Sequence, residues 1–300
     1  MKHFSSKTTP LYQLTLAAAL ATGLTACGGG GSSSGGSDNG SGDSQTINLA
    51  FAAQLNSDEL KCGVNDQSAG VGTNSTTADI KYFGAYISEL EVATASGEFQ
   101  KVTLNSAENT DVERGISLIT FCGIDNASSE QALTYNQIQG TVAQSDDYTR
   151  VRFTLGVPEQ YNHLDATQTE GVLAKNIAMH WNWTAGYKHV RMDVAGWNIH
   201  LGSTNCTGEN ADATCSNGNR PIYTLENIDL SADKIVFDYA TLVTNSDISM
   251  NTENTPPGCM SRADDPECGE VFKSLGLDLA TGQCLNNDCD SQNWVRSEKK

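Results

Sequence analysis

The residues best suited to chemistry lie between Met179 and Cys206. They are Met179-His180-Trp181-Asn182-Trp183, then Gly186-Tyr187-Lys188-His189, then Gly196-Trp197-Asn198-Ile199-His200-Leu201-Gly202-Ser203. Three of the four tryptophans and three of the five histidines fall in this stretch. Imidazole is the commonest side-chain ligand for copper and zinc, and an electron-rich indole beside a redox metal or a strong oxidant is itself oxidisable. In an extended segment alternate residues share a face, so Trp181 and Trp183 fall together while His180 sides with Asn182. His180 and Trp181 therefore diverge unless a bulge intervenes. On the next strand Trp197, Ile199 and Leu201 face away from His200. Both indoles also suit plain core packing.

These residues need a scaffold, and the sequence points to strands. Period-two alternation recurs at Ile47, Leu49 and Phe51; at Ile80, Tyr82 and Ile87 to Val92; at Val102 and Leu104; from Ile116 to Phe121; at Val151, Phe153 and Leu155; from Ile222 to Leu230; and at Ile235, Phe237 and Tyr239. Gly, Asn, Asp and Ser clusters separate them. One helix is expected, from Glu267 to Leu275, where Val271, Phe272 and Leu275 share a face and Gly276 supplies the stop. The fold class is all-β: an antiparallel β-sandwich with one short C-terminal helix. Trp294, Tyr239 and Phe237 read as core aromatics, and Met192 and Met260 as filler. Met179 adjoins His180 and is the methionine to watch.

The N-terminus carries Lys2 and Lys7, an apolar run from Leu14 to Leu24, and then Leu24-Thr25-Ala26-Cys27. That order is an export signal, too short in its apolar part to span and stay. Cys27 after Leu-Thr-Ala resembles the lipobox of bacterial lipoproteins, which would make Cys27 the lipidated first residue. Gly28 in place of Asp points to the outer membrane. Residues 1–26 are thus a signal peptide. Residues 27–44, almost wholly Gly, Ser, Asp and Asn after Cys27, form a flexible tether, and residues 45–300 form the folded domain.

Eight further cysteines, Cys62, Cys122, Cys206, Cys215, Cys259, Cys268, Cys284 and Cys289, make an even count in an exported chain, which argues for disulfides. Near neighbours close short loops as Cys206 with Cys215, Cys259 with Cys268 and Cys284 with Cys289. That leaves Cys62 to meet Cys122, although the count alone allows many connectivities. A structural thiolate metal site would show CxxC spacings, and the chain has none. The net charge of −18 repels nucleic acid and anionic lipid.

Several landmarks fall in a known order: Cys62-Gly63; Gly156-Val157-Pro158 leading to Asn162-His163; Met179-His180-Trp181-Asn182-Trp183; Gly186-Tyr187-Lys188; His200-Leu201-Gly202-Ser203 with Cys206; Gly258-Cys259-Met260 to Cys268; and Phe272-Lys273-Ser274-Leu275-Gly276-Leu277-Asp278. In this order the chain resembles the MbnP-like family, the four-Cys proteins of the metallo-mystery pair system, over most of Ile47 to Arg296. The resemblance implies a copper-binding protein facing the periplasm, paired with a di-haem cytochrome c peroxidase-like partner that oxidises a Trp to kynurenine. Three positions depart from the family pattern: His180 and His189 stand where aromatic residues are usual, and Trp294 where Phe is. Cys284 and Cys289 look like an added pair.

Cu(I) accepts low coordination and takes imidazole or soft sulfur, so two well-held histidines and one neutral donor suffice. His163 and His200, both in matching segments, are the first choice, with His180 beside them. Each also suits a satisfied polar strand end. Trp181 and Trp183 are both open as the oxidised residue. Lys188 and Tyr187 support the site, since Lys stays protonated near neutral pH, and His189 is structural or at the surface. The expected function is copper acquisition, storage or sequestration without turnover. No nucleophile elbow, HExxH motif or paired-carboxylate motif suggests an enzyme, and no catalytic residue is assigned. A non-metal adhesion or glycan-binding lipoprotein, with the tryptophans as a sugar platform, is the alternative.

Overall fold

The computed structural model describes residues 43–63, 70–125, 130–131, 134–145, 147–167, 169–175, 177–182 and 184–300. Cys27, the signal peptide and tether up to residue 42, and Trp183 lie outside the described residues. Gly42–Lys300 form one compact unit, whose first strand begins at Ser44.

Two sheets carry the fold. The first runs in the order Val295–Lys299, Asp233–Asp238, Ser44–Leu55, Gln137–Ala143, Thr103–Leu104. The second runs Ile222–Leu225, Tyr148–Leu155, Ile80–Thr94, Gly186–Val194, Asn198–Gly202, Gly258–Cys259, and Ile116–Asp125 also pairs with Ile80–Thr94. Alternating apolar residues supply each inner face, since successive side chains of a strand point to opposite sides. Phe51 and Phe237 from the first sheet meet Phe153 and Phe83 from the second. The rings of Phe51 and Phe153 lie 6.4 Å apart and those of Phe83 and Phe237 6.2 Å apart, both edge to face. Such geometry suits the ring quadrupoles and adds about 0.5–1.5 kcal/mol per pair beyond burial.

The arrangement is the expected β-sandwich, with three differences of detail. Ser44–Leu55 pairs parallel with Asp233–Asp238, and Asn198–Gly202 parallel with Gly258–Cys259, because long crossovers return these strands in the same direction. The strand from Ile222 ends at Leu225, short of Leu230. Tyr239 starts a single helical turn capped by the Asp238 carboxylate, which accepts from the Ala240 and Thr241 amides. The expected C-terminal helix spans Cys268–Ser274 and stops at Gly276, whose φ of +73° glycine tolerates at no steric cost. Further one-turn helices lie at Glu159–Asn162 and Val172–Lys175.

All four expected disulfides form: Cys62–Cys122, Cys206–Cys215, Cys259–Cys268 and Cys284–Cys289. Three of them join or pack on the main hydrophobic core. The fourth, Cys206–Cys215, instead ties a two-stranded ribbon of Thr204–Thr207 and Thr214–Asn217. Trp294, Phe237 and Tyr239 are buried core residues, and the Trp294 indole N–H donates to Tyr223 Oη at 2.9 Å.

Candidate functional site

Trp197, Ile199 and Leu201 are each 1% exposed, while His200 between them is half-buried on the other face, as strand alternation requires. His200 meets Asp193 of the adjacent strand, with Nε2 2.7 Å from Asp193 Oδ1. Burial pushes the Asp193 carboxyl up, yet hydrogen bonds from His200 and Arg191 outweigh it and hold the group at about 2. The carboxylate is therefore charged, and His200 must present Nε2–H to it. Burial lowers the His200 pKa against the opposing pull of Asp193, keeping the ring neutral near neutrality. A neutral imidazole anchored through one nitrogen by a carboxylate keeps its lone pair on the other, Nδ1.

Trp181 packs near this pair, its ring centroid 6.4 Å from that of His200. The short strand His180–Asn182 pairs with Gly186–Val194 through a register shift: His180 lies opposite Tyr187, but Asn182 lies opposite Gly186. That extra residue is the bulge that would let neighbouring side chains depart from strict alternation. His180 leans on Tyr187, ring centroids 4.8 Å apart, while Trp181 lies over Gly202. A Cβ on Gly202 would sit 2.5 Å from the indole, so only glycine lets the ring settle there.

Lys188 joins the two residues. It is buried, and its Nζ donates to Ala178 O at 2.9 Å and to His180 O at 3.3 Å, lying 5.7 Å from the centre of the Trp181 ring. Burial, helped by the nearby Arg191 charge, pushes its pKa down to about 8. Lys188 thus ties its strand to the backbone at Ala178 and His180. Burial and the Lys188 charge also lower the pKa of His180. The His180 Nε2 is buried with no hydrogen-bond partner among the described residues.

His163 follows the Glu159–Asn162 turn and is buried. Asn162 Oδ1 accepts from the Tyr187 amide at 3.0 Å, so its other end is the amide nitrogen, which stands 3.3 Å from His163 Nε2. Nε2 must then be the accepting nitrogen. The same atom lies 3.2 Å from Cys215 Sγ. The first-choice pair thus takes different partners: His200 joins Asp193 and Trp181, whereas His163 joins Asn162 and the Cys206–Cys215 bridge. The chain just before His163 reaches the same strand that His180 packs on: Asn162 takes the Tyr187 amide, and the His180 ring leans on that of Tyr187.

His189 is structural. Fully buried, its Nδ1 accepts from the Val157 amide at 3.2 Å and its Nε2 faces Gly218 O at 3.1 Å and Ser203 Oγ at 3.2 Å, which fixes a neutral ring. Burial depresses its pKa to about 3. Met179 is also fully buried, in a second apolar cluster with Tyr86, Val157, Leu173 and Tyr187, and serves packing. Strand alternation did not reveal Asp193 or Met260. Asp193 sits two residues after Arg191 on the strand beside His200, a cross-strand relation hidden until the register is known. Met260 joins Trp181, Cys206 and Pro256 in lining an open pocket of about 880 Å³.

No curated protein matches the chain. A solved structure described as MbnP from Methylosinus trichosporium superimposes with a TM-score of 0.71 at 21% identity, covering 86% of this chain and 99% of that one. The two share the fold. The family model for MbnP matches residues 44–261, a span holding His163, His180, Trp181, Lys188, Asp193 and His200, and the chain therefore belongs to the MbnP family.

Proposed function

We propose that this chain is an extracytoplasmic copper-binding protein that takes Cu(I) on imidazole nitrogens beside Trp181 and serves acquisition, storage or sequestration without turnover. The observation that carries the reading is the Asp193–His200 bond at 2.7 Å next to the Trp181 ring. A carboxylate that fixes the far side of an imidazole is the usual support of a metal-ligating histidine. His180, whose buried Nε2 has no partner among the described residues, is the second donor we assign. His163, the third expected ligand, instead has its Nε2 facing the Asn162 amide and Cys215 Sγ. Neutral imidazoles suit Cu(I), which accepts few ligands.

Trp181 is the residue we assign to oxidation. It is half-buried and lines the open pocket, so an outside oxidant can reach its edge. A di-haem peroxidase-like partner would deliver the oxidising equivalents from peroxide. Two peroxides are reduced to water as the indole C2–C3 bond breaks and two oxygens enter, and hydrolytic loss of formate then leaves kynurenine. The new aniline and ketone would offer a neutral donor beside His200. A lipid on Cys27 would hold the chain at the outer membrane.

Co-expression with the partner, followed by intact mass, peptide mapping and metal analysis, tests this reading. Kynurenine at Trp181 with stoichiometric copper supports it. An unmodified chain that binds glycan and no copper favours the adhesion alternative.

A further inference from the structure

His163, Cys206 and Cys215 place one imidazole nitrogen and two sulfurs within 4.8 Å of one another. The ring nitrogen turned to the sulfurs is Nε2, which the Asn162 amide identifies as the one bearing the lone pair. It stands 3.2 Å from Cys215 Sγ. With metal–sulfur bonds of about 2.3 Å and metal–nitrogen bonds of about 2.0 Å, a tetrahedral N···S edge is about 3.5 Å, near the approach found here, and the two sulfurs, once the bridge is reduced, must part to about 3.8 Å to admit an ion.

The bridge itself is unlike the other three. Cys206 and Cys215 are half-buried, as Cys62 and Cys122 are, but they lie directly opposite each other on a separate ribbon, and neither belongs to the hydrophobic core that the other three pairs join or touch. Cys206 also lines the open pocket, which gives a reductant a way in. Opening this bridge would leave the sandwich core stapled by Cys62–Cys122 and Cys259–Cys268.

We propose that Cys206–Cys215 is a redox-gated site, which on reduction forms with His163 a two-thiolate, one-imidazole centre for a soft cation, Cu(I) ahead of Zn(II). The reductant is a dithiol. Its thiolate attacks one bridge sulfur, the S–S bond breaks, and a mixed disulfide forms. The second thiol of the reductant then displaces the remaining cysteine. Two electrons pass to Cys206 and Cys215, the reductant leaves as its own disulfide, and two protons arrive on the cysteine sulfurs. Metal binding returns those protons to solvent, because only thiolates ligate. The ion replaces the Asn162 amide at His163 Nε2, and soft sulfur selects Cu(I). Oxidised, the same three residues offer only an imidazole and a bridged pair, so affinity follows the redox state.

The test treats the full chain with a limiting dithiol, alkylates it, and maps the labelled cysteines. Cys206 and Cys215 are expected to be labelled first; earlier labelling of another pair overturns the proposal. The reduced chain is then titrated anaerobically with Co(II) as a spectroscopic probe. A thiolate-to-cobalt charge-transfer band is expected in the reduced chain, none in the oxidised chain, and none in the reduced Cys206→Ser/Cys215→Ser variant. In His163→Gln the band should persist but the affinity should fall, since one of the three ligand atoms is lost. Absence of the band in the reduced native chain, its survival in the double serine variant, or unchanged affinity in His163→Gln overturns the proposal. Copper binding by the oxidised chain is a separate measurement, so either reading can fail alone.

Discussion

Lys188 Nζ lies 5.7 Å from the centre of the Trp181 ring while donating to the carbonyl oxygens of Ala178 and His180. One buried ammonium thus fixes the backbone around the indole and sets the charge beside it. Replacing it with Lys188→Met leaves those acceptors without their donor, which costs about 1–3 kcal/mol, read as a lower urea midpoint.

The same cation opposes electron loss from the indole, because a positive charge nearby destabilises a ring radical cation. With the Lys188 pKa pushed down to about 8, raising the pH from 7 to 9 removes that charge. Trp181 oxidation by a one-electron oxidant should then speed up across this window in the native chain and stay flat in Lys188→Met. Equal pH profiles in the two proteins would contradict the role given to Lys188.

Asp193 acts on copper through His200. Asp193→Asn keeps the shape but loses the charge that fixes the His200 tautomer, and should weaken Cu(I) binding about 10–100-fold in competition with a chelator.

Gly202→Ala would put a methyl where the Trp181 ring now rests, 2.5 Å from the indole and 3.0 Å from the Tyr187 carbonyl. The ring must move, so the Trp181 emission should shift and copper affinity fall while the far-ultraviolet dichroism stays that of the native sandwich.

Acid should destabilise the fold before the carboxylates titrate. His189 is held neutral to about 3, whereas an unfolded histidine protonates near 6.5. The unfolded chain therefore binds the proton first as pH falls, and stability drops by up to about 1.4 kcal/mol per pH unit for that group. It is fully present above the unfolded value and declines from about pH 6.5 downward. His180 and His200, also shifted down, add in the same sense. Equal urea midpoints at pH 7 and pH 5 would contradict this.

Much of the scaffold was legible because its signals are local. Trp197, Ile199 and Leu201 alternate against His200; Val271, Phe272 and Leu275 mark a helix that Gly276 ends; and short spacings pair the cysteines. The sequence showed which side chains could do chemistry but not which of them meet. Asp193 meets His200, and Asn162 fixes the His163 nitrogen, through strand register and a loop return that no local pattern encodes. His189 reads from the sequence as structural or at the surface, and Gly156, where a Cβ would fall 2.7 Å from its ring, shows that the interior is shaped around it.

A competition titration of the oxidised full chain with Cu(I) against a chelator, comparing the native protein with His200→Ala and His180→Ala, tests the central claim most directly. Binding of one equivalent that weakens in each variant is the predicted result. Failure of the native chain to take up Cu(I), or uptake that neither substitution alters, would contradict it.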